Sequence, residues 1–265
     1  MLLAAAIYAS LGFVSFPPSE EIGPMSAAAI GKNQELYILH RGPKPLMKFD
    51  RNGKFVRSWG SGLFEVPHGL RVAPDGTIWT TDNKKNVLMQ FSPEGSLLKT
   101  VEAGFRAPDD LVFATTGEIV VADAGNGKIV KLSPDGKVLQ SWGAKGKARG
   151  EFAAAHGLAI DRKDRVYVAD RGNNRVQVFS LAGELLQVWE GFGNPFGLIV
   201  IGDELLVTDG DANRISHLSL KDGKILHKWG DAAMLQLPHL MSTDASGTLY
   251  VSEVNGKRVQ KFKRR

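Results

Sequence analysis

The sequence predicts an all-β protein, a six-bladed β-propeller, from three observations: a regular repeat, turn residues at fixed places in each repeat, and short alternating strands between the turns. The repeat is clearest at one proline-rich position. Its six copies are Pro24, Pro67, Pro108, Ala155, Pro195 and Pro238, separated by 43, 41, 47, 40 and 43 residues. A period in this range indicates a propeller or a solenoid.

Each unit is expected to contain four antiparallel strands. The second strand ends at Asp82, Asp123, Asp170, Asp209 and Glu253 in five units and at His40 in the first. After a Gly/Asn turn and a third strand, the fourth strands end at Trp59, Trp142, Trp189 and Trp229. Turns at this density separate strands rather than helices. We expect the repeated aspartates to accept hydrogen bonds from backbone N–H groups of the turns that follow them.

The ring is expected to close with strands from both ends of the chain. The sixth unit stops at KFKRR, after its third strand, so its outer strand must come from elsewhere. Residues Leu11 to Phe16 are predicted to supply it, because closure removes an edge that invites pairing with other chains. We therefore expect one propeller domain over residues 1–265, with residues 1–12 as either a signal-sequence remnant or the closing strand.

Composition limits the partners and the compartment. The chain has no cysteine, which excludes disulfides and thiolate metal sites, and its net charge is +5. Its basic clusters lack interleaved aromatic residues, which favours solvated charge over nucleic-acid binding. The apolar start MLLAAAIYASLGF is too short to span a membrane and is similar to the hydrophobic part of a secretory signal, so we expect a periplasmic or extracellular protein. A closed propeller needs no partner subunit, and we expect a monomer.

Three histidines occupy one recurring slot, directly after the aligned position, in alternate repeats. They are His68 in VPHGL, His156 in AAHGL and His239 in LPHLM, while Asp109 and Phe196 fill the slot in two of the intervening repeats. In a six-fold ring, alternate positions lie at the same height around the central channel. Three neutral imidazoles at one point are typical zinc ligands that leave a fourth position open. The pattern therefore predicts a zinc site.

Polar residues near this point are candidates for the chemistry. Arg41 and Arg171 follow the second strands of the first and fourth units, and a guanidinium can hold a carboxylate with two hydrogen bonds. A salt bridge to a neighbouring aspartate is the alternative for Arg171. Asp109 and Asp110 enter the third unit at the level of the histidines.

The motifs identify a family resemblance. The units PxGL, VYVAD, GNNRVQVF and DGKVLQSWG resemble NHL repeats. YILHRG, FEVPHGL, VYVADRGNNRVQVF, LPHLM and EVNGKRVQKF resemble bacterial relatives of peptidyl-α-hydroxyglycine α-amidating lyase, over about Ile22 to Phe262. These lyases cleave a C-terminal α-hydroxyglycine, a carbinolamide, into a peptide amide and glyoxylate. The resemblance implies that His68, His156 and His239 are zinc ligands and that Arg41 and Arg171 hold the substrate carboxylate.

Two departures from the family pattern limit this resemblance. The family places a catalytic tyrosine in the loop after the second strand of the third blade, where this chain reads ADAGNG; we expect Asp109 or Asp110 to replace it as the base. The family also has an aspartate for a structural calcium ion directly after the third zinc histidine, where this chain has Leu240. Calcium is therefore the less favoured cofactor, although backbone carbonyls and Asp110 could hold an ion.

Two other functions stay open at this point. One is a metal-dependent hydrolase of the lactonase type, a chemistry found on other six-bladed propellers, which usually relies on carboxylates and calcium. The other is a non-catalytic NHL module that binds a protein, a glycan or RNA. Substitution of the three histidines would abolish turnover in the enzymes and leave binding by the module unchanged.

Overall fold

The computed structural model describes residues 7–265 and contains six four-stranded antiparallel sheets arranged as the blades of a propeller. Blade 1 contains β2 (Met25–Ile30), β3 (Leu36–His40), β4 (Leu46–Phe49) and β5 (Phe55–Trp59). Blade 2 contains β6 (Pro67–Val72), β7 (Ile78–Asp82), β8 (Val87–Phe91) and β9 (Leu97–Val101). Blade 3 contains β10 (Pro108–Phe113), β11 (Ile119–Asp123), β12 (Lys128–Leu132) and β13 (Val138–Trp142).

The remaining blades follow the same order, with the first strand of each innermost. Blade 4 contains β14 (Ala155–Ile160), β15 (Val166–Asp170), β16 (Arg175–Phe179) and β17 (Leu185–Trp189). Blade 5 contains β18 (Pro195–Ile201), β19 (Glu204–Asp209), β20 (Arg214–Ser219) and β21 (Ile225–Trp229). Blade 6 contains β22 (Pro238–Thr243), β23 (Thr248–Glu253), β24 (Arg258–Arg264) and β1 (Tyr8–Phe13). The predicted six-bladed, all-β fold is confirmed.

Local sequence patterns account for the strand ends. The second strands end at the predicted acidic residues and at His40, and the fourth strands end at the four predicted tryptophans. Between residues 7 and 265 the only helical elements are two short 3₁₀ turns, Ala124–Asn126 and Arg171–Asn173. Both end in a left-handed residue, Gly127 or Asn174, which are residue types that tolerate positive φ.

The acidic residues at the ends of the second strands accept hydrogen bonds from the backbone of nearby turns and loops. The Asp82 carboxylate accepts from the N–H groups of Lys84 and Lys85 in the following turn, as predicted. It also accepts from the N–H groups of Glu65 and Val66 in the loop that enters the blade. The prediction covered only the first set of bonds, and it is wrong for Asp123, Asp170 and Asp209, whose backbone donors all lie in the loops that enter their blades. The second set links sequence-distant segments, which spacing along the chain does not reveal.

The closing strand begins earlier than predicted. β1 covers Tyr8–Phe13, not Leu11 to Phe16, and pairs antiparallel with β24. In this register of β1 against β24, the Tyr8 ring stacks on the Trp229 ring, with 4.9 Å between the ring centroids. Of residues 1–12, interpreted as a signal remnant or closing strand, the first six lie outside the described residues. The part from Tyr8 onward lies in β1.

The slot in blade 1 lies one residue later than the proline alignment indicated. Met25 pairs with His40 as Pro67 pairs with Asp82, so the slot residue is Ser26. In all six innermost strands the pairing register shifts around the slot. Such bulges turn side chains out of the regular alternation and are common beside active sites. The proline alignment missed this offset because the proline of blade 1 precedes its strand.

Candidate metal centre

Three histidine rings meet at the central channel. His68, His156 and His239 are all buried, and their candidate ligand nitrogens lie within 4.8 Å of one another. The ring centroids are 4.8, 4.8 and 4.9 Å apart, with interplanar angles of 75°, 72° and 89°. The three imidazoles are therefore edge to face with one another around one point. The predicted convergence of these residues is present in the structure.

Each imidazole is oriented by the slot carbonyl of the next blade. The Nδ1 atoms of His68, His156 and His239 lie 2.8, 3.0 and 2.6 Å from the carbonyl oxygens of Asp109, Phe196 and Ser26. A carbonyl only accepts, so each Nδ1 carries the proton. In the neutral ring Nε2 is then the atom with a free lone pair, and a hydrogen bond of this kind is typical of metal-binding histidines.

The distance between two of the Nε2 atoms matches that expected for two ligands of one metal ion. The Nε2 atoms of His156 and His239 lie 3.3 Å apart, although both present lone pairs. Ligands at about 2.0–2.1 Å from a tetrahedral zinc ion are about 3.3–3.4 Å apart, which agrees with this spacing. Burial, followed by the charge of His68, holds the pKa of both rings well below 6.5. Both rings are thus neutral near pH 7, the form that binds metal.

Glycine after the slot allows the close approach of neighbouring blades. A Cβ atom on Gly157 would lie 2.2 Å from the carbonyl oxygen of Phe196, which is the acceptor for His156. A Cβ atom on Gly69 would lie 2.8 Å from the carbonyl oxygen of Asp109. The His-Gly pairs of blades 2 and 4 therefore have one physical reason: the glycine admits the carbonyl that orients the preceding histidine.

Asp109 lies beside the histidines. Its carboxylate oxygens are 3.9 Å from Nε2 of His68 and 4.0 Å from Nε2 of His156. Burial raises the pKa of Asp109, and the charge of His68 and a hydrogen bond from Asn83 oppose the shift. The carboxylate is close enough to exchange protons with a group held at the histidines. Asn83 is a site residue that the sequence analysis did not select.

Asp110 has a different environment. Its carboxylate accepts from the Arg71 guanidinium, with Nε at 3.1 Å, and from the N–H groups of Leu111 and Leu158. Arg71 also donates to the carbonyl of Leu158 at 3.0 Å, so the pair joins blades 2, 3 and 4. The Arg71 guanidinium and these two backbone N–H groups therefore surround the Asp110 carboxylate. The residue after the third histidine, Leu240, packs in an apolar cluster.

Arg171 stacks on Phe196, the aromatic residue beside His156, and Phe196 forms the aromatic wall of the site. Its guanidinium carbon is 4.4 Å from the centroid of Phe196, and its Nε donates to the side chain of Asn194 at 3.2 Å. The Phe196 ring also lies 5.0 Å from that of His156. The alternative of a direct salt bridge from Arg171 has no counterpart among the ion pairs of residues 7–265. Its terminal nitrogens donate no hydrogen bond to protein atoms in that part of the chain.

Arg41 approaches from blade 1. The Nδ1 atom of His40 accepts from the N–H groups of Gly23 and Gly42, and the Arg41 N–H donates to the carbonyl of Pro24. His40 thus does with a neutral ring what the acidic residues do in the other blades. After burial and the charge of His68, the charges of Arg41 and Arg171 also lower the pKa of His239.

Comparisons with known proteins agree with the fold and with the family resemblance. The NHL repeat model matches residues 152–179. A probable peptidyl-alpha-hydroxyglycine alpha-amidating lyase of Caenorhabditis elegans is 30% identical over 181 residues, 55% of this chain and 52% of that protein. Peptidyl-alpha-hydroxyglycine alpha-amidating lyase 2 of Drosophila melanogaster is 27% identical over 230 residues, 77% of this chain and 56% of that protein. The matches therefore span about half the length of these relatives.

Solved structures show the same fold. A gluconolactonase of Xanthomonas campestris superposes with a TM-score of 0.72 at 17% identity, over 92% of this chain and 87% of the other. The chain is a six-bladed β-propeller that matches the NHL repeat over residues 152–179 and is similar in sequence to peptidyl-α-hydroxyglycine α-amidating lyases. In residues 7–265 there is no helix long and apolar enough to cross a membrane.

Proposed function

We propose that this protein is a zinc-dependent lyase that cleaves a carbinolamide such as peptidyl-α-hydroxyglycine into an amide and glyoxylate. The observation that carries the proposal is the convergence of His68, His156 and His239, whose Nε2 atoms are free for an ion. The names of the relatives support the reaction class. Ligation by imidazoles alone favours zinc over calcium, which prefers oxygen ligands.

The three histidines would hold the ion, with one coordination position left toward the substrate. An ion held in this way lowers the pKa of a hydroxyl group that reaches it. Arg41 and Arg171 would bind the substrate carboxylate, and later that of glyoxylate, through charge-assisted hydrogen bonds. The stacking of Arg171 on Phe196 supports this role, because it fixes the plane of the guanidinium.

Asp109 would act as the base in place of the family tyrosine. It would take the proton of the substrate hydroxyl, the carbon–oxygen double bond of glyoxylate would form, and the carbon–nitrogen bond would break with its electron pair on nitrogen. The same carboxyl would then return the proton to the nitrogen, so that atoms and charge balance. Its position supports this role, because its carboxylate oxygens lie 3.9 and 4.0 Å from Nε2 of His68 and His156, beside the place where the substrate hydroxyl would be held.

Asp110, the other candidate base, would instead hold Asp109 in place. Its carboxylate is committed to Arg71 and two backbone N–H groups, and it directly follows Asp109 in the bulge of β10. We further propose that the propeller acts as one domain and as a monomer. Export to the periplasm or the extracellular space stays a prediction from the apolar first residues.

Elemental analysis of the purified protein tests the metal. We expect about one zinc ion per chain in the wild type and none in His156→Ala. His227→Ala is the matched control, since His227 is exposed and outside the ring of histidines, and it should keep the ion. An assay for glyoxylate release from N-benzoyl-α-hydroxyglycine then tests the reaction.

The alternatives predict different results in the same experiments. If the protein binds zinc and hydrolyses sugar lactones but releases no glyoxylate, the lactonase-type hydrolase is the correct function. A wild type that contains no metal after incubation with zinc contradicts both enzymes and favours a non-catalytic NHL module. In that case substitution of the histidines would leave ligand binding unchanged.

A further inference from the structure

We propose that Asn83 is a specificity-determining residue whose side-chain carbonyl accepts the amide N–H of the substrate. The inference rests on the proposed function, since it assumes a substrate with an amide nitrogen next to the carbon that carries the hydroxyl. Asn83 directly follows the second strand of blade 2, and its side chain faces Asp109 on blade 3.

The hydrogen bonds of Asn83 determine which way its amide points. Its Nδ2 donates to Oδ1 of Asp109, and a carboxylate only accepts, so the NH₂ group must face Asp109. The backbone N–H of Asn83 donates to the carbonyl of Val66 at 3.0 Å, which holds the residue at the entry of the blade. The amide oxygen is therefore directed away from Asp109.

That oxygen is buried and has no hydrogen-bond partner among the described residues. An acceptor left unsatisfied in this way costs about 1–3 kcal/mol, so most buried polar atoms have a partner. A ligand that donates an N–H would remove this cost on binding. A site with an unpaired buried acceptor selects for ligands that carry the matching donor and against those that lack it.

The position of Asn83 in the repeat is the one that supplies both arginines. The residues that follow the second strands are Arg41, Asn83, Ala124, Arg171, Gly210 and Val254. Three of the six are polar, and the other two polar members are the proposed carboxylate ligands. A carbinolamide bears two donors, the hydroxyl and the amide N–H. The hydroxyl is assigned to the ion and Asp109, which leaves the N–H for Asn83.

This placement also fits the proton transfer. An N–H held by Asn83 keeps the nitrogen next to Asp109, which is hydrogen-bonded to the same asparagine. When the carbon–nitrogen bond breaks, the proton taken from the hydroxyl has a short path to the nitrogen. Asn83 would thus position the leaving group without itself transferring a proton.

Calorimetric binding to the zinc-loaded protein tests the inference without turnover. The probes are N-benzoylglycine, which lacks the hydroxyl and cannot react, and its ester isostere O-benzoylglycolate, which lacks only the N–H. We expect the wild type to bind the amide about 10- to 100-fold more tightly than the ester. Asn83→Ala should bind both with similar affinity. Alanine occupies the same position in blade 3 as Ala124, so the change is compatible with the turn.

Three results would overturn the inference: equal binding of both probes by the wild type, binding of neither, or a preference for the amide that Asn83→Ala retains in full. If the third result appears as equal weakening of both probes in the variant, Asn83 only orients Asp109. The proposed function is tested separately, by glyoxylate release. A wild type that prefers the amide but releases no glyoxylate would contradict that function and leave the recognition of the N–H by Asn83 intact.

Discussion

Blades 2, 4 and 6 place histidine at the slot, whereas blades 1, 3 and 5 place Ser26, Asp109 and Phe196 there. The two sets differ in how they contribute to the site. The first set provides side chains of one type that converge. The second set provides backbone carbonyls that orient those side chains. Because a carbonyl is common to every residue, the side chains of blades 1, 3 and 5 are free to differ.

Each of the three different slot side chains in blades 1, 3 and 5 makes its own contact around the histidines. The Ser26 hydroxyl donates to the carbonyl of Pro67 and leaves little bulk on its side of the ring. Asp109 places a carboxylate beside two histidines, and Phe196 forms a wall on which Arg171 stacks. A six-fold repeat can thus bring three side chains of one type together and still present three different groups around them.

The largest expected effect comes from breaking the histidine set. His156→Ala should lose the bound zinc and reduce glyoxylate release by at least about 10³-fold, because two imidazoles no longer define the site. Phe196→Leu should keep the zinc, since its carbonyl still orients His156. Zinc content and kcat/KM of both variants check this. Loss of zinc from Phe196→Leu would mean that the two sets do not differ as described.

Asp109→Asn tests the chemical role of the second set. We expect kcat to fall about 10²- to 10⁴-fold with zinc content unchanged, because an amide cannot accept the proton. Steady-state kinetics and elemental analysis of the variant check this. Zinc loss in the variant would instead make Asp109 a fourth ligand.

Arg71 on blade 2 binds Asp110 on blade 3, and its removal should destabilise the fold. Arg71→Met leaves the fully buried Asp110 without its charged partner, which should lower the free energy of unfolding by about 3 kcal/mol. Lys137→Met is the control, because the Lys137–Asp135 pair is exposed and its loss should leave the urea midpoint nearly unchanged. Urea unfolding of both variants measures the difference. Equal midpoints would show that the Arg71–Asp110 pair contributes nothing.

Arg171→Lys tests whether substrate binding depends on the charge of residue 171 alone or also on the planar group that stacks on Phe196. Lysine keeps the charge but loses the planar group that stacks on Phe196, so KM should rise about tenfold with kcat nearly unchanged. Arg162→Lys, at an exposed residue in the turn between β14 and β15, is the matched control. A change in kcat without a change in KM would assign Arg171 to the chemical step instead.

The smallest effect concerns a histidine outside the ring. His217 accepts from the indole N–H of Trp229 and donates to Glu204, and burial lowers its pKa. The unfolded chain therefore binds this proton more readily, so the stability contribution is complete above about pH 6.5 and is lost as pH falls toward the folded pKa. His217→Phe should reduce the fall of Tm between pH 7 and pH 5, by an amount that added zinc does not change. An unaltered pH dependence would contradict this assignment.

The sequence alone determined the class of fold and the convergence of the histidines. Strand ends, turns and the period of the repeat depend on neighbouring residues, so they can be predicted from local chemistry. Closure of a regular ring then brings alternate slots together, whatever separates them along the chain. His239 and Ser26, 213 residues apart, meet in this way.

Only the tertiary structure decided which polar groups face the histidines. The adjacent residues Asp109 and Asp110 could not be distinguished in the sequence, but the bulge in β10 directs one to the histidines and the other to Arg71. The offset that makes Ser26 a slot residue and the pairing of Asn83 with Asp109 were equally hidden. These contacts join different blades, and their geometry depends on the register of one blade against the next, which no pattern within a single repeat specifies.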